Sequence, residues 1–465
     1  MSTRHHTRCT RSPHGLALAL MAGAAGLALA ASPALGQLDK DKREKEKKPA
    51  PQQQPASAPK QPVTPPPPPP DPHFAEKVLA KTKVKEWTIK PELHVSAGKV
   101  RRSVDKTIIE EARSFSFSSV AVVFPVLENS SSHKLLLTPD GSPRVKGELL
   151  WNERLVDNTP TFAEGYQSGT RLGRWELRNV EGKELDLKLE FAVACYETVL
   201  DEKLAGTIPW PKNYFGVGAS ALKPQQYVEY GPLGPDPKDT AVADFVKDVL
   251  GGKDPRTMPP LRVAKMLAAA VQERLQPSGD GLTFNRNSSF RGFELRGAPD
   301  TLRERRGSQH EIACVMAAVL KHAGLPARTV IGWDLSDTKG SGRGVGGRGG
   351  SASFRSWVEF CLIDPGTLTE IWIPVDPVRM RRAGSRAKPI DQPWKYFGTS
   401  DELADIIPLS FHYLPPTTVY ADAPCLWGWL TTPESAPHEA SLKFTAFRLS
   451  KRGDDPKPQD GPERR

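Results

Sequence analysis

Between Trp87 and about Phe215, apolar and polar residues alternate with a period of two. The clearest run sets Leu185, Leu187, Leu189, Phe191 and Val193 against Asp186, Lys188 and Glu190. A half-buried strand gives this pattern, because successive side chains point to opposite faces of a sheet. Phe115 with Phe117, Val120–Val126, Lys134–Leu137, Lys146–Trp151 and Gly173–Leu177 add shorter runs between Gly, Pro, Asn and Asp. Many short strands separated by turn residues predict a β-sandwich. A short helix is expected ahead of them, within His73–Val84 (FAEKVLAKTKV).

After Asp239 the period lengthens. Val242, Phe245, Val246 and Val249 share one helical face before Gly251 and Gly252, and a second helix starts near Pro260 and runs to Pro277. A short piece over 300–306 leads into Gly307–Arg328, a helix marked at both ends. Ser308 and Glu311 have the spacing of a capping box. Ile312, Val315, Met316, Val319 and Leu320 form its apolar stripe, Gly324 supplies the left-handed stop, and Pro326 prevents continuation. Three strands are expected next, over Arg328–Asp334, Phe354–Leu362 and Ile371–Val375. The aromatic and Pro-rich chain beyond Asp376 predicts irregular packing against the core, with Leu442–Leu449 as a last strand.

Composition adds what periodicity leaves out. The chain has 465 residues, enough for two or three domains. Its hydrophobic content of 38% is low, and its 45 prolines are roughly twice the usual share. The N-terminus accounts for part of this. Arg4, Arg8 and Arg11 precede an apolar run from Leu16 to Ala31, and Ala34-Leu35-Gly36 offers small residues for cleavage. That is the layout of a secretory signal peptide over residues 1–36, which makes the protein secreted or periplasmic. An uncleaved anchor would call for a longer apolar run, and no later segment is long enough to span a bilayer. Residues 37–72 are a charged and Pro-rich linker ending in Pro65–Pro70, a composition that cannot bury a core. The remaining divisions are a β-sandwich-like domain over 73–216, a mixed domain over 217–450 and a disordered tail over 451–465.

The net charge of +10 includes Arg4, Arg8 and Arg11, leaving +7 after their removal. This excess is spread over tails and loops without a basic stripe interleaved with aromatics, so nucleic acid is not an expected partner. Cys195, Cys314, Cys361 and Cys425 follow no zinc spacing and are expected as free core thiols. No metal and no cofactor are expected. Oligomeric state is not legible.

Three motifs carry a family resemblance. Gly324-Leu325-Pro326-Ala327-Arg328 closes the marked helix, Arg355-Ser356-Trp357-Val358-Glu359 lies on the second strand, and Trp372-Ile373-Pro374-Val375-Asp376-Pro377 ends the third. In this order they resemble the central helix and the His-Ala-Trp-x-Glu and Trp-(Val/Ile)-Pro-Val-Asp-Pro strands of the transglutaminase-like superfamily, which shares its fold with papain-type cysteine proteases. The resemblance implies an α+β fold, a papain/transglutaminase-like core with a central helix against an antiparallel sheet, preceded here by the all-β sandwich-like domain. It also implies a Cys–His–Asp triad whose positions fall on Gln309, Arg355 and Asp376. Only the aspartate is present. A carboxamide is no nucleophile, and a guanidinium does not give up its proton near neutral pH. The three side chains are expected to converge, with Arg355 paired to Asp376. Asp376 before Pro377 also has a purely structural reading as turn chemistry.

Other candidates stand beside this reading. His310 and Cys314 are four residues apart on one helix face. Cys314, however, is rotated by roughly 140° and displaced about 7.5 Å from the nucleophile position. His310-Glu311-x-x-Cys314 half matches a zinc helix but lacks its second histidine. The Gly-rich stretch from Ser336 to Ser353 precedes a strand rather than a helix, so its G-x-G-x-x-G match is not a dinucleotide fingerprint. The residues expected to border a ligand groove are His310, Trp357, Arg343 and Arg348. The reading is a non-catalytic protein that binds or scaffolds a peptide or cell-envelope polymer. The alternative is an enzyme of the transglutaminase or cysteine-peptidase type, acting on amide bonds through Cys314 or another nucleophile.

Overall fold

The computed structural model describes residues 71–449, except 105–106, 158–159, 165–170, 233, 285–289, 336–352, 415–422 and 435–438. The expected signal peptide and tail, the linker up to residue 70, and Arg343 and Arg348 lie outside the described residues. The described residues belong to one compact unit.

The period-two region folds as two main antiparallel sheets and a separate hairpin of Lys99–Val104 with Thr107–Ala112. In the larger, the strand Leu79–Ser96 lies between Glu184–Leu200 and Glu439–Arg448. In the smaller, Phe115–Val126 lies between Arg171–Gly182 and Gly428–Thr432. Phe124 meets Phe191 and Phe444 across the gap, both at 6.5 Å between ring centroids, so the two inner faces share one core. The alternation around Leu185–Val193 marks that inner face, and all five of its apolar residues are buried.

Two expectations need correction. The helix near His73 covers only Phe74–Val78, and Leu79 begins a strand. Leu79 pairs with Leu200, and the ladder this opens outweighs the propensity of a run too short to hold a helix alone. The stretch beyond Asp376 is not irregular throughout. It contributes the helix Pro377–Ala383, the strand Ile406–Ser410 and the two strands Gly428–Thr432 and Glu439–Arg448. Its apolar side chains are the reason: Trp429, Leu442 and Phe444 are fully buried in the hydrophobic core.

The core sheet has the order Glu370–Val375, Ser353–Ile363, Ala327–Asp334, Ile406–Ser410, antiparallel throughout. The central helix Gln309–His322 packs on it and is buried from His310 to Lys321. The helices Ala241–Val249, Pro260–Arg274 and Ala298–Glu304 cover its other side, which is why the helix is apolar well beyond one stripe. The capping box forms as expected, with Ser308 N–H donating to Glu311 at 2.9 Å and Glu311 N–H to Ser308 Oγ at 3.3 Å.

Deleting residues 428–465 would strip a strand from each N-terminal sheet and expose the edges of Leu79–Ser96 and Phe115–Val126. The expected result is an insoluble or non-cooperatively unfolding chain, whereas deleting 451–465 alone leaves the melting temperature unchanged. Solubility and calorimetric unfolding of the two truncations check this.

Candidate functional site

Alternation along Ser353–Ile363 sends its residues to two environments. Phe354, Ser356 and Val358 share one face, on which Ser356 Oγ lies 2.7 Å from His310 Nδ1 of the central helix and Phe354 packs on Phe293 and Phe444. Arg355, Trp357 and Glu359 take the other face. The N-terminal layer covers that face: Leu127 packs with Trp357, and Ser131 bonds Glu359. Gly332 pairs opposite Arg355, and a Cβ there would collide with the Trp357 ring.

Arg355 is 4% exposed and fully engaged. Its Nε donates to Asp376 Oδ2 at 2.9 Å, and its Nη1 donates to Glu402 Oε2 at 2.7 Å. Arg379 Nε reaches the same Glu402 oxygen at 3.1 Å, and the Tyr396 hydroxyl donates to Glu402 Oε1 at 2.6 Å. Asp334 completes the cluster, 3.8 Å from Arg355 and 3.7 Å from Arg379. Burial works against the charge on Arg355, but attraction from Asp376, Glu402 and Asp334 outweighs it and raises the guanidinium's pKa. Burial likewise opposes ionisation of Glu402. The Tyr396 hydrogen bond and the two arginines prevail and hold its carboxyl below the usual range.

The two readings of Asp376 hold together. While Oδ2 binds Arg355, Oδ1 accepts the Arg379 N–H at 2.8 Å and caps the helix Pro377–Ala383. The contact between Arg355 and Asp376 is therefore present. Gln309 is not hydrogen-bonded into this pair. Gln309 is half-buried at the first position of the central helix and donates through Nε2 to the Phe354 carbonyl at 2.7 Å. No hydrogen bond joins it to Arg355 or Asp376 among the described residues. Arg355 extends from the strand face that carries Asp376 and Glu402, whereas the helix start meets the strand at its backbone.

His310 and Trp357 also need correction as groove residues. They are 0% and 1% exposed, so neither side chain faces a ligand. His310 is held by Ser356, whose Oγ lies 3.1 Å from the Tyr413 hydroxyl, with the Phe293 ring 4.7 Å away. Burial pushes the imidazole's pKa down to about 3. Cys314 is equally buried, and burial, with Glu229 and Glu311 nearby, drives its thiol well above the ordinary range. No hydrogen bond links His310 to Cys314 among the described residues. All four described cysteines are free and buried, and no group of three or more metal-ligating side chains occurs among the described residues.

Sequence reasoning missed Glu402, Arg379, Tyr396 and Asp334. Arg379 had a signal, three residues past a capping aspartate. Glu402 and Tyr396 had none, since they arrive from a loop whose path only the folded chain defines.

Residues 244–377 match the family described as the transglutaminase-like superfamily. No curated protein matches the chain. Among solved structures, a candidate cysteine protease from Cytophaga hutchinsonii is 12% identical, with 80% of this chain and 93% of that one covered and a TM-score of 0.44. The periplasmic domain of TgpA from Pseudomonas aeruginosa, bound to ethylmercury, is 17% identical over 65% of this chain and 92% of that one, with a TM-score of 0.22. The assignment of residues 244–377 as a transglutaminase-like core follows from the family match and the three motifs.

Arg355→Ala leaves Asp376 and Glu402 without a cation they now share, and a loss of about 3–5 kcal/mol in unfolding free energy is expected. Arg355→Lys, which keeps the charge but not the fork, should fall between the two. Urea denaturation of the three proteins measures this. A second expectation concerns acid. His133, His310 and His412 are held near pKa 3 by burial, against 6.5 when unfolded. Below pH 6.5 the unfolded chain binds more protons. The stability contribution is thus complete above that pH and is lost toward pH 3, at up to ~1.4 kcal/mol per pH unit per histidine. In His310→Asn the slope of stability against pH should drop by one histidine's share.

Proposed function

We propose that the transglutaminase-like core of residues 244–377 works without acyl-transfer chemistry, as the binding or scaffolding part of an exported protein with a peptide-like or cell-envelope ligand. One observation carries this reading: the general-base position holds Arg355, buried and bonded to both Asp376 and Glu402. A base must accept a proton, and this guanidinium is held in its charged form by its partners. Gln309, at the nucleophile position, has an amide engaged by the Phe354 carbonyl and nothing that ionises.

The Arg-rich start, apolar run and small residues of 1–36 support export. The alternative, an enzyme acting on amide bonds through Cys314, would need a thiolate. Cys314 is 1% exposed with a raised pKa, and it lies in the middle of the helix rather than at its N-terminus, where the dipole would help.

A thiol probe and an amide substrate test the reading together. Iodoacetamide should label Cys314 only after unfolding, and the folded protein should release no ammonia from glutamine peptides supplied with a primary amine. Turnover that disappears in Cys314→Ala would establish the enzyme instead.

A further inference from the structure

If the former catalytic face is filled by its own charges, a ligand must be met elsewhere, and the strand Leu79–Ser96 points to where. Its ladder with Glu184–Leu200 runs Leu79↔Leu200 to Thr82↔Glu197 and resumes at Lys85↔Cys195. Lys83 and Val84 therefore oppose the single residue Tyr196, and Lys83 takes a φ of 40°, a value side-chain-bearing residues rarely adopt. One inserted residue reverses the facing of everything before it. Leu79 and Lys81 are thereby turned to the face opposite Ile89, Leu93 and Val95, the side on which the strand Glu370–Val375 lies.

There they line a cleft of about 630 Å³ between the N-terminal layer and the strand Glu370–Val375, within the size range of small-ligand sites. Leu79, Ile371 and Trp372 supply apolar wall, and Asn129 and Thr369 supply polar groups beside it. That mixture suits a chain of alternating amides and side chains better than a hydrocarbon. Of the charges that line it, Arg328 and Glu370 are engaged within the protein, and Glu76 stands at the exposed rim. Arg328 is paired with Glu359, Glu370 accepts from Gly218 N–H and Trp372 Nε1, and Glu76 lies 3.1 Å from His73 Nδ1. Lys81 donates to the Ser130 carbonyl at 2.9 Å, has the Tyr196 ring at 5.6 Å and feels the charge of the buried Glu359, with no carboxylate in ion-pair contact among the described residues.

We propose that this cleft receives the C-terminal end of an extended peptide, with its carboxylate on the Lys81 ammonium and its last side chain against Trp372 and Ile371. The proposal rests on the binding reading above and moves the ligand away from the old catalytic positions. Charge complementarity selects the occupant: an ammonium whose bonds are unfilled is matched by a free carboxylate and not by an amide.

The full-length protein, immobilised, is offered a library of N-acetylated tripeptides with free C-terminal carboxylates and the same library amidated, with retention read by mass spectrometry. The acids should be retained about tenfold better than the amides. Lys81→Gln should abolish that preference at unchanged melting temperature, and Lys81→Arg should keep it. Equal retention of acids and amides, no retention of either, or wild-type behaviour of Lys81→Gln would overturn the proposal. Cleaved peptides in the eluate would instead overturn the non-catalytic reading, whatever Lys81→Gln does, so the two failures are separable.

Discussion

The strand Ser353–Ile363 is covered on both faces, and this constraint governs the molecule. The central helix lies on one side and the N-terminal layer on the other. Any charge on that strand is removed from water and must be answered by protein groups. Glu359, at 0% exposure, is met by Arg328 from the neighbouring strand and by the backbone and hydroxyl of Ser131. Arg328 is itself held between the Phe411 and Trp372 rings, 3.6 and 3.9 Å from their centroids. Arg355 meets the same demand four residues earlier with Asp376 and Glu402.

Such pairs contribute little net stability compared with apolar packing, because desolvation offsets most of the attraction. Their effect is on position. Arg328 and Glu359 fix the N-terminal turn at Ser131 against the core, while Arg355 and Arg379 tie the segment around Glu402 to the capped helix Pro377–Ala383. The parts of the family signature found here, Arg328, Trp357, Glu359 and Asp376, are thus engaged in holding layers together. The start of the central helix is closely packed on one side, although Gln309 stays half-buried. Gly281 comes so near that a Cβ there would collide with Ser308 and His310.

The same coupling explains the interlocked layout of the sheets. The chain leaves the N-terminal layer, builds the helices and the core sheet, then returns to add one strand to each N-terminal sheet. Phe444, on the last strand, packs against Phe124 of the sandwich and against Trp333 and Phe354 of the core sheet. One aromatic ring therefore packs on both sets of sheets.

Local signals alone determined several strands of the N-terminal layer, Phe115–Val126, Arg171–Gly182 and Glu184–Leu200 among them, the helix Gln309–His322 with its capping box, and the three core strands that follow it. In each of these the period of apolar residues and the end residues agree, so neighbours along the chain suffice. That Gln309 and Arg355 stand where the resemblance would put a nucleophile and a base is an expectation of the same kind, read from residue identity alone. What the sequence could not decide was which way those side chains go. Whether His310 and Trp357 line a groove or a core depends on what lies over them, and that cover comes from Leu127, Phe293 and Tyr413. The partners of Arg355 beyond Asp376, the bulge that turns Lys81, and the return of the C-terminal strands all depend on contacts between distant segments. Only the folded chain sets these, because burial and facing are properties of neighbours in space.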